Sequence, residues 1–141
     1  MSRIFVDSNI LIYHFEDSGT PGFRATEILR RIGQRGDDLM ASTLAIGEVL
    51  VKPIEYGNAV LEAKYRALLR GPLVGLAPFD AVAGELFARV RQDRRIRTPD
   101  AIHLACAGSA GCDLFITNDE RLSTALVPGI KFIVSMDRAP I

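Results

Sequence analysis

Four acidic residues stand where a folded chain could use them for chemistry. Asp7 directly follows the short apolar run IFV, and Asp119 closes the segment LFITND. Asp100 begins the segment DAIHLACA, and Glu48 is the only charged residue in the apolar stretch TLAIGEVLV. If the fold brings these four carboxylates together, they offer the oxygen ligands that Mg²⁺ and Mn²⁺ prefer.

A cluster of carboxylates needs a cation or a proton to be stable. Two carboxylates ~4 Å apart repel each other by about 4 kcal/mol at an effective dielectric constant near 20. Four such groups in one place therefore require a bound metal ion or protonation. The histidines and cysteines do not have the spacing of a zinc site, since the only ones are His14, His103, Cys106 and Cys112.

Each acid also has an interpretation that involves no ligand. Asp7 and Asp119 stand where they could cap the helical segments that follow them. Asp100, in the first turn of a helix, would interact favourably with the helix dipole by roughly 0.3–1 kcal/mol. Glu48 is harder to explain, because an acid in such an apolar helix needs a partner. Lys52, four residues later, or a cation from elsewhere in the fold could supply it.

His103 lies one helical turn after Asp100 and can therefore reach the same site. Its position favours packing, or a hydrogen bond to a metal-binding side chain, over a direct catalytic role.

Arginines are gathered just before Asp100. Fourteen of the seventeen basic residues are arginine, and five of them fall in RVRQDRRIR, residues 89–97. The guanidinium group matches the geometry of phosphate, although a solvated helix face would explain the same cluster. The formal net charge is zero, so the chain has no overall basic field that attracts nucleic acid. Local contacts to phosphate would come from Arg94, Arg95 and Arg97.

Short apolar runs alternate with helix-like stretches along the chain. We predict strands over residues 3–6, 38–42, 73–79, 113–117 and 131–135. We predict helices over residues 9–15, 21–36, 43–51, 59–70, 81–95 and 99–111. Pro53 should end the third helix, and Thr98 should cap the last. The alternation indicates an α/β fold, a parallel sheet covered by helices on both faces, with function at the carboxyl ends of the strands.

Length and composition indicate one ordinary globular domain over residues 1–141. Two cysteines do not provide a disulfide framework. We expect no signal peptide, because the N-terminus leads directly into a strand, and no apolar run approaches the ~18 residues needed to cross a membrane. The expected location is therefore the reducing cytoplasm.

The segments FVDSNILIY, STLAIGEVL, TPDAIHLACA and LFITNDERL, in this order, resemble those of PIN-domain nucleases. The resemblance is strongest to the VapC-type toxins of bacterial and archaeal toxin–antitoxin pairs, and it covers essentially the whole chain. It implies a three-layer α/β/α sandwich with a mostly parallel sheet of four to five strands. It further implies an endoribonuclease that depends on Mg²⁺ or Mn²⁺, forms a homodimer and is neutralised by a cognate antitoxin.

The resemblance also implies roles for particular residues. The catalytic and metal-binding quartet would be Asp7, Glu48, Asp100 and Asp119. The polar side chains expected to hold these carboxylates in place are Asn9, Thr117 and Asn118.

Other functions remain open at this stage. A catalytically silent PIN-fold interaction module would keep the same fold. A receiver-like signalling domain that binds Mg²⁺ needs a lysine near the end of its last strand, whereas Lys131 lies at the start of KFIVS. A phosphatase of the haloacid dehalogenase type needs a D-x-D motif, and this chain has DSN at residues 7–9.

Overall fold

A five-stranded sheet forms the centre of the computed structural model, which describes residues 1–141. Its strands are β1 (Arg3–Val6), β2 (Asp38–Ser42), β3 (Val74–Ala77), β4 (Cys112–Thr117) and β5 (Ile130–Ser135). Their order in space is β3-β2-β1-β4-β5, and all neighbouring strands are parallel. The predicted α/β class is therefore confirmed, with five strands.

Helices connect the strands. They are α1 (Ser8–Glu16), α2 (Thr20–Arg35), α3 (Leu44–Glu55), α4 (Ala59–Arg70), α5 (Ala81–Val90) and α6 (Thr98–Ala110). Two short 3-10 helices cover Glu120–Thr124 and Met136–Arg138. The longest helix, α2, has 16 residues, and none of the helices combines the length and the apolar character needed to span a bilayer.

Each face of the sheet has its own hydrophobic core, as the side chains of β1 show. Ile4 and Val6 pack among apolar residues of α1 to α4, whereas Phe5, between them, packs among residues of α5 and α6. All three side chains are almost fully buried. This double burial explains why the strand is continuously apolar, and it confirms the predicted three-layer arrangement.

The prediction that α3 ends before Pro53 is wrong, because the helix continues through this residue to Glu55. Proline removes one backbone donor, and near the end of a helix the loss is limited to a single hydrogen bond. Beyond Pro53, the N–H of Tyr56 still donates to the carbonyl of Lys52 at 2.9 Å.

Helix α5 ends at Val90, so the prediction of a helix that reaches residue 95 is wrong at its C-terminal end. The side chain of Arg91 donates to the carbonyl of Ile96 at 2.7 Å, and the carboxylate of Asp93 accepts the N–H of Arg95 at 3.1 Å. These contacts stabilise a turn in place of further helix. The arginine-rich segment is thus a turned connection that leads into α6.

Helix α6 begins one residue earlier than predicted. Arg97 occupies the cap position, Thr98 is the first helical residue and Pro99 follows it. The helix starts at the carboxyl edge of the sheet and returns the chain to the opposite edge, where β4 begins.

Candidate functional site

Three of the four predicted acids line one cavity at the carboxyl edge of the sheet. The cavity has a volume of about 180 Å³, and its lining consists of Asp7, Ser8, Asn9, Ile12, Glu48, Asp100 and His103. Asp7 follows β1, Glu48 lies in the second turn of α3 after β2, and Asp100 lies in the first turn of α6. The carboxyl ends of β1 and β2 and the start of α6 meet here, which explains why acids far apart in sequence come together.

Asp7 is buried and accepts four hydrogen bonds. Its Oδ1 accepts the backbone N–H groups of Asn9 at 3.1 Å and Ile10 at 3.3 Å, so Asp7 caps α1. Its Oδ2 accepts the hydroxyl of Thr117 at 2.6 Å and the N–H of Asn118 at 3.3 Å. Burial raises the pKa of Asp7, although these hydrogen bonds oppose the shift. Asp7 therefore has partners on both oxygens but no neighbouring cation bound to it.

The amides of Asn9 and Asn118 form a small polar chain at the rim of the cavity. The Asn9 side chain donates to Oδ1 of Asn118 at 3.1 Å, and the Asn118 amide donates to the hydroxyl of Tyr13 at 3.4 Å. Of the three polar side chains expected to hold carboxylates, only that of Thr117 bonds directly to one. Asn9 and Asn118 contact Asp7 through their backbone N–H groups.

Glu48 is half-buried and is held by two donors on a single oxygen. Its Oε1 accepts the hydroxyl of Ser8 at 2.6 Å and lies 2.5 Å from Nε2 of His103. The hydrogen bond from His103 is the main reason why the pKa of Glu48 is lower than usual. His103, and not Lys52, is thus the partner that the sequence required for this acid.

Two serines in this network were missed by the sequence analysis. Ser8 directly follows Asp7, and Ser42 is the last residue of β2, where its hydroxyl lies 2.6 Å from Nδ1 of His103. The signal that could have found them is position, because both follow or end a strand at the edge where the acids lie.

Asp100 differs from the other acids because no hydrogen bond or ion pair holds its carboxylate. It is half-buried, and burial is the main cause of its raised pKa. The charges of Asp119 and Glu48 raise this pKa further, while the charge of Arg97 opposes the increase. The carboxylate of Asp100 is therefore the one whose negative charge is least compensated by hydrogen bonds or ion pairs.

Asp119 does not line this cavity. It borders a neighbouring cavity of about 200 Å³, together with Arg95 and Arg121. The guanidinium of Arg121 binds both of its oxygens, with Nε–Oδ1 at 3.0 Å and Nη2–Oδ2 at 2.8 Å. These hydrogen bonds hold the pKa of Asp119 below its usual range. Asp119 nevertheless lies near enough to influence Asp100, as the pKa of that residue shows.

The donor set can be compared with the needs of a divalent ion. No group of three Asp, Glu, His or Cys side chains is arranged to hold a metal ion by itself. Mg²⁺, however, retains several waters and commonly takes only one or two carboxylates from the protein. Asp7 and Asp100 offer two carboxylates whose negative charge is destabilised by burial, beside a cavity with polar walls. These residues fit Mg²⁺ or Mn²⁺ bound partly through water.

The three arginines named as phosphate contacts are not equivalent. Arg95 binds Asp93, with Nη2–Oδ2 at 2.9 Å. Arg94 and Arg97 are exposed, and neither forms an ion pair. Arg97 immediately precedes α6, and its charge lowers the pKa values of Asp100 and Asp119. A free guanidinium group therefore stands beside the acids.

Lys131 does not lie at this edge. Its ammonium group binds Asp113 at 2.9 Å, near the start of β4 and β5. The lysine that a receiver-like site would need is therefore at the opposite end of the sheet.

Comparison with known proteins gives a match over most of the chain. The profile of the PIN domain family matches residues 4–126. A search of curated proteins found no significant match to the sequence.

Several solved structures share the fold. VapBC2 from Rickettsia felis, solved bound to a fragment of its promoter DNA, aligns with a TM-score of 0.75 at 12% identity, covering 94% of this chain and 98% of the other. A toxin–antitoxin complex from Klebsiella pneumoniae aligns with a TM-score of 0.66 at 24% identity, covering 90% and 94%. VapC20 from Mycobacterium tuberculosis, a toxin that cleaves the sarcin–ricin loop, aligns with a TM-score of 0.63 at 19% identity, covering 79% and 86%. At these identities the likeness establishes the fold.

Proposed function

The chain belongs to the PIN domain family, and from this we propose that it is a metal-dependent endoribonuclease, the toxin of a type II toxin–antitoxin pair. The observation that carries the proposal is the cavity shared by Asp7, Glu48 and Asp100. Burial there raises the pKa values of Asp7 and Asp100, which means that keeping these two acids ionised in the cavity lowers the stability of the fold. Such an arrangement is typical of a functional site.

Asp7 and Asp100 would hold Mg²⁺ or Mn²⁺, with Glu48 adding negative charge nearby. Asp119 would add its charge when it is released from Arg121. When bound, such an ion lowers the pKa of a water molecule and stabilises charge on the phosphoryl oxygens. Four hydrogen bonds fix the orientation of Asp7: two from the start of α1, one from the hydroxyl of Thr117 and one from the N–H of Asn118. Asp100 has no such bonds, so its carboxylate is free to turn toward a ligand.

Glu48 is suited to orient the attacking water. Both of its hydrogen bonds, from Ser8 and His103, end on Oε1. Oε2 is therefore free to accept a hydrogen bond from water, and the lowered pKa keeps the group ionised at neutral pH. The attacking water would add to phosphorus while the bond to the ribose 3′-oxygen breaks, so that the products carry a 5′-phosphate and a 3′-hydroxyl, as the resemblance to PIN-domain nucleases implies. The ribose 2′-hydroxyl is not needed for this step.

The exposed guanidinium groups of Arg94 and Arg97 would bind RNA phosphates next to the acids. Because the net charge of the chain is zero, RNA affinity would depend on such local contacts and should decrease as the salt concentration rises. Arg95 would join them only if it left Asp93.

The toxin role adds a cognate antitoxin and a homodimer to this proposal. Support comes from the similar structures, two of which contain toxin–antitoxin pairs. The proposed site of action is the cytoplasm, where the unpaired thiols of Cys106 and Cys112 would stay reduced. Co-purification with the product of the neighbouring gene tests the antitoxin partner. Light scattering of the purified chain tests the homodimer.

Cleavage of a defined RNA panel tests the activity itself. We expect cutting with Mg²⁺ or Mn²⁺, none with EDTA, and products with a 5′-phosphate. Asp100→Asn should remove the activity while circular dichroism shows an unchanged fold. Cleavage that persists in EDTA, or in this variant, would refute the proposed chemistry.

A catalytically silent interaction module is the second candidate. The contact that favours it is the ion pair in which Arg121 occupies both oxygens of Asp119. If the wild-type chain cuts no RNA under any metal condition but still binds its antitoxin, this second function would replace the first.

A further inference from the structure

His103 has both ring nitrogens engaged within the site. It is only 3% exposed, and its Nε2 lies 2.5 Å from Oε1 of Glu48. Its Nδ1 lies 2.6 Å from the hydroxyl of Ser42, which is completely buried. The three side chains thus form a continuous line from β2 through α6 to α3.

The chemistry of the partners assigns the protons in this line. A carboxylate can only accept hydrogen bonds, so Nε2 of His103 must carry the hydrogen that joins it to Oε1 of Glu48. Ser42 makes its only side-chain hydrogen bond with Nδ1 of the same ring. If Nδ1 were also protonated, the buried hydroxyl hydrogen of Ser42 would have no acceptor, which is costly. Hydrogen on Nε2 alone gives each group in this line a partner.

We propose that His103 is a positioning residue for Glu48, and that Ser42 orients the ring for this role by donating its hydroxyl hydrogen to Nδ1. His103 stands three residues after Asp100, so a single helix supplies one acid directly and holds a second through a hydrogen bond. The use of Oε1 by His103 and Ser8 leaves Oε2 of Glu48 as the oxygen available to water. The kinetic consequence rests on the proposed nuclease function, whereas the tautomer does not.

Two substitutions at position 103 separate positioning from packing. Glutamine places its amide nitrogen close to the position of Nε2 and can still donate to Glu48, whereas asparagine is too short to do so. With saturating RNA, we expect His103→Asn to lower kcat by about 10- to 100-fold with KM little changed. We expect His103→Gln to recover most of the loss. Equal kcat values for the two variants, or an effect confined to KM, would overturn the positioning role.

The tautomer can be measured without RNA and without metal. Imidazole ¹⁵N chemical shifts at neutral pH distinguish a protonated ring nitrogen from an unprotonated one, and His14→Gln removes the signals of the other histidine. We expect hydrogen on Nε2 alone in the wild type, and a shifted Nδ1 signal in Ser42→Ala, in which Nδ1 has lost its hydrogen-bond donor. Hydrogen on Nδ1, or on both nitrogens, would overturn the inference.

The two measurements also separate this inference from the proposed function. The predicted tautomer in a protein that cuts no RNA would support the hydrogen-bonded line and reject the nuclease. Metal-dependent cleavage by a protein whose ring carries hydrogen on Nδ1 would support the nuclease and reject the line.

Discussion

Arg121 holds Asp119 in a two-point ion pair, with Nε–Oδ1 at 3.0 Å and Nη2–Oδ2 at 2.8 Å. The pair neutralises the one predicted acid that lies outside the cavity of Asp7 and Asp100. Arg95 binds Asp93 with nearly the same geometry, at 3.0 and 2.9 Å. Because Asp93 is not one of the four acids, the second pair is a matched reference for the first.

Arg121→Ala should strengthen divalent ion binding. The substitution removes the ion pair of Asp119 and leaves its carboxylate bound only by the backbone N–H of residue 121. The negative charge of Asp119 already raises the pKa of Asp100. We expect a several-fold increase in Mn²⁺ affinity by isothermal titration calorimetry. Since Arg121 is mostly exposed, the free energy of unfolding in EDTA should change little. Arg95→Ala should leave the Mn²⁺ affinity at the wild-type value, and a weaker or unchanged affinity in Arg121→Ala would contradict this account.

Asp100→Asn should stabilise the metal-free protein at neutral pH. Burial raises the pKa of Asp100, so the folded state binds a proton more tightly than the unfolded state does. The penalty for ionisation is therefore absent below the ordinary pKa of 3.8 and grows as the pH rises through the raised value. Urea unfolding in EDTA should show a larger gain for the variant at about pH 7 than at about pH 4. A gain independent of pH, or a loss at neutral pH, would be inconsistent with a destabilised carboxylate.

Asp7→Asn should be less stable than Asp100→Asn in the same buffer. Relief of repulsion alone predicts that both variants melt no lower than the wild type. An asparagine at position 7, however, would turn an amide group toward donors that now bond to a carboxylate oxygen. Leaving such donors unsatisfied costs about 1–3 kcal/mol, which opposes the gain from removing a buried charge. Thermal unfolding of both variants in EDTA measures the difference, and equal melting temperatures would show that the cap and the Thr117 bond contribute little.

Arg97→Ala should weaken RNA binding more than Arg70→Ala does. Both side chains are exposed, but Arg97 lies at the start of α6 beside the acids, whereas Arg70 ends α4 at the opposite edge of the sheet. Loss of one phosphate contact should reduce the slope of log K against log salt by about one. Fluorescence anisotropy with a labelled RNA at several salt concentrations, using the inactive Asp100→Asn background, measures that slope. Equal slopes for the two variants would remove Arg97 from the proposed RNA path.

The sequence predicted the parts of this fold that depend on local pattern. The apolar run before Asp7 and the alternation of strands with amphipathic helices were enough to place acids at one edge of a parallel sheet. Helix ends were predicted less well, because tertiary contacts override local rules. The burial of Pro53 in α3 and the hydrogen bond from Arg91 to the carbonyl of Ile96 are two examples of such tertiary effects.

The partners of the acids could not be read from the sequence for a related reason. Periodicity shows which face of a helix is buried, but not which side chain of another element it meets. The Ser42–His103–Glu48 line joins residues up to 61 positions apart, and it exists only because α6 packs beside β2 and α3. The pairing of Asp119 with Arg121 is local, yet either residue could equally have faced solvent.

Binding of Mn²⁺ to the metal-free protein, followed by electron paramagnetic resonance, tests the central claim most directly. The claim is that Asp7 and Asp100 share a divalent ion at the carboxyl edge of the sheet. The wild type should bind Mn²⁺, Asp100→Asn should bind it about tenfold more weakly or worse, and Glu85→Gln on the exposed face of α5 should match the wild type. A wild type that binds no Mn²⁺, or an Asp100→Asn variant that binds it with undiminished affinity, would contradict the account.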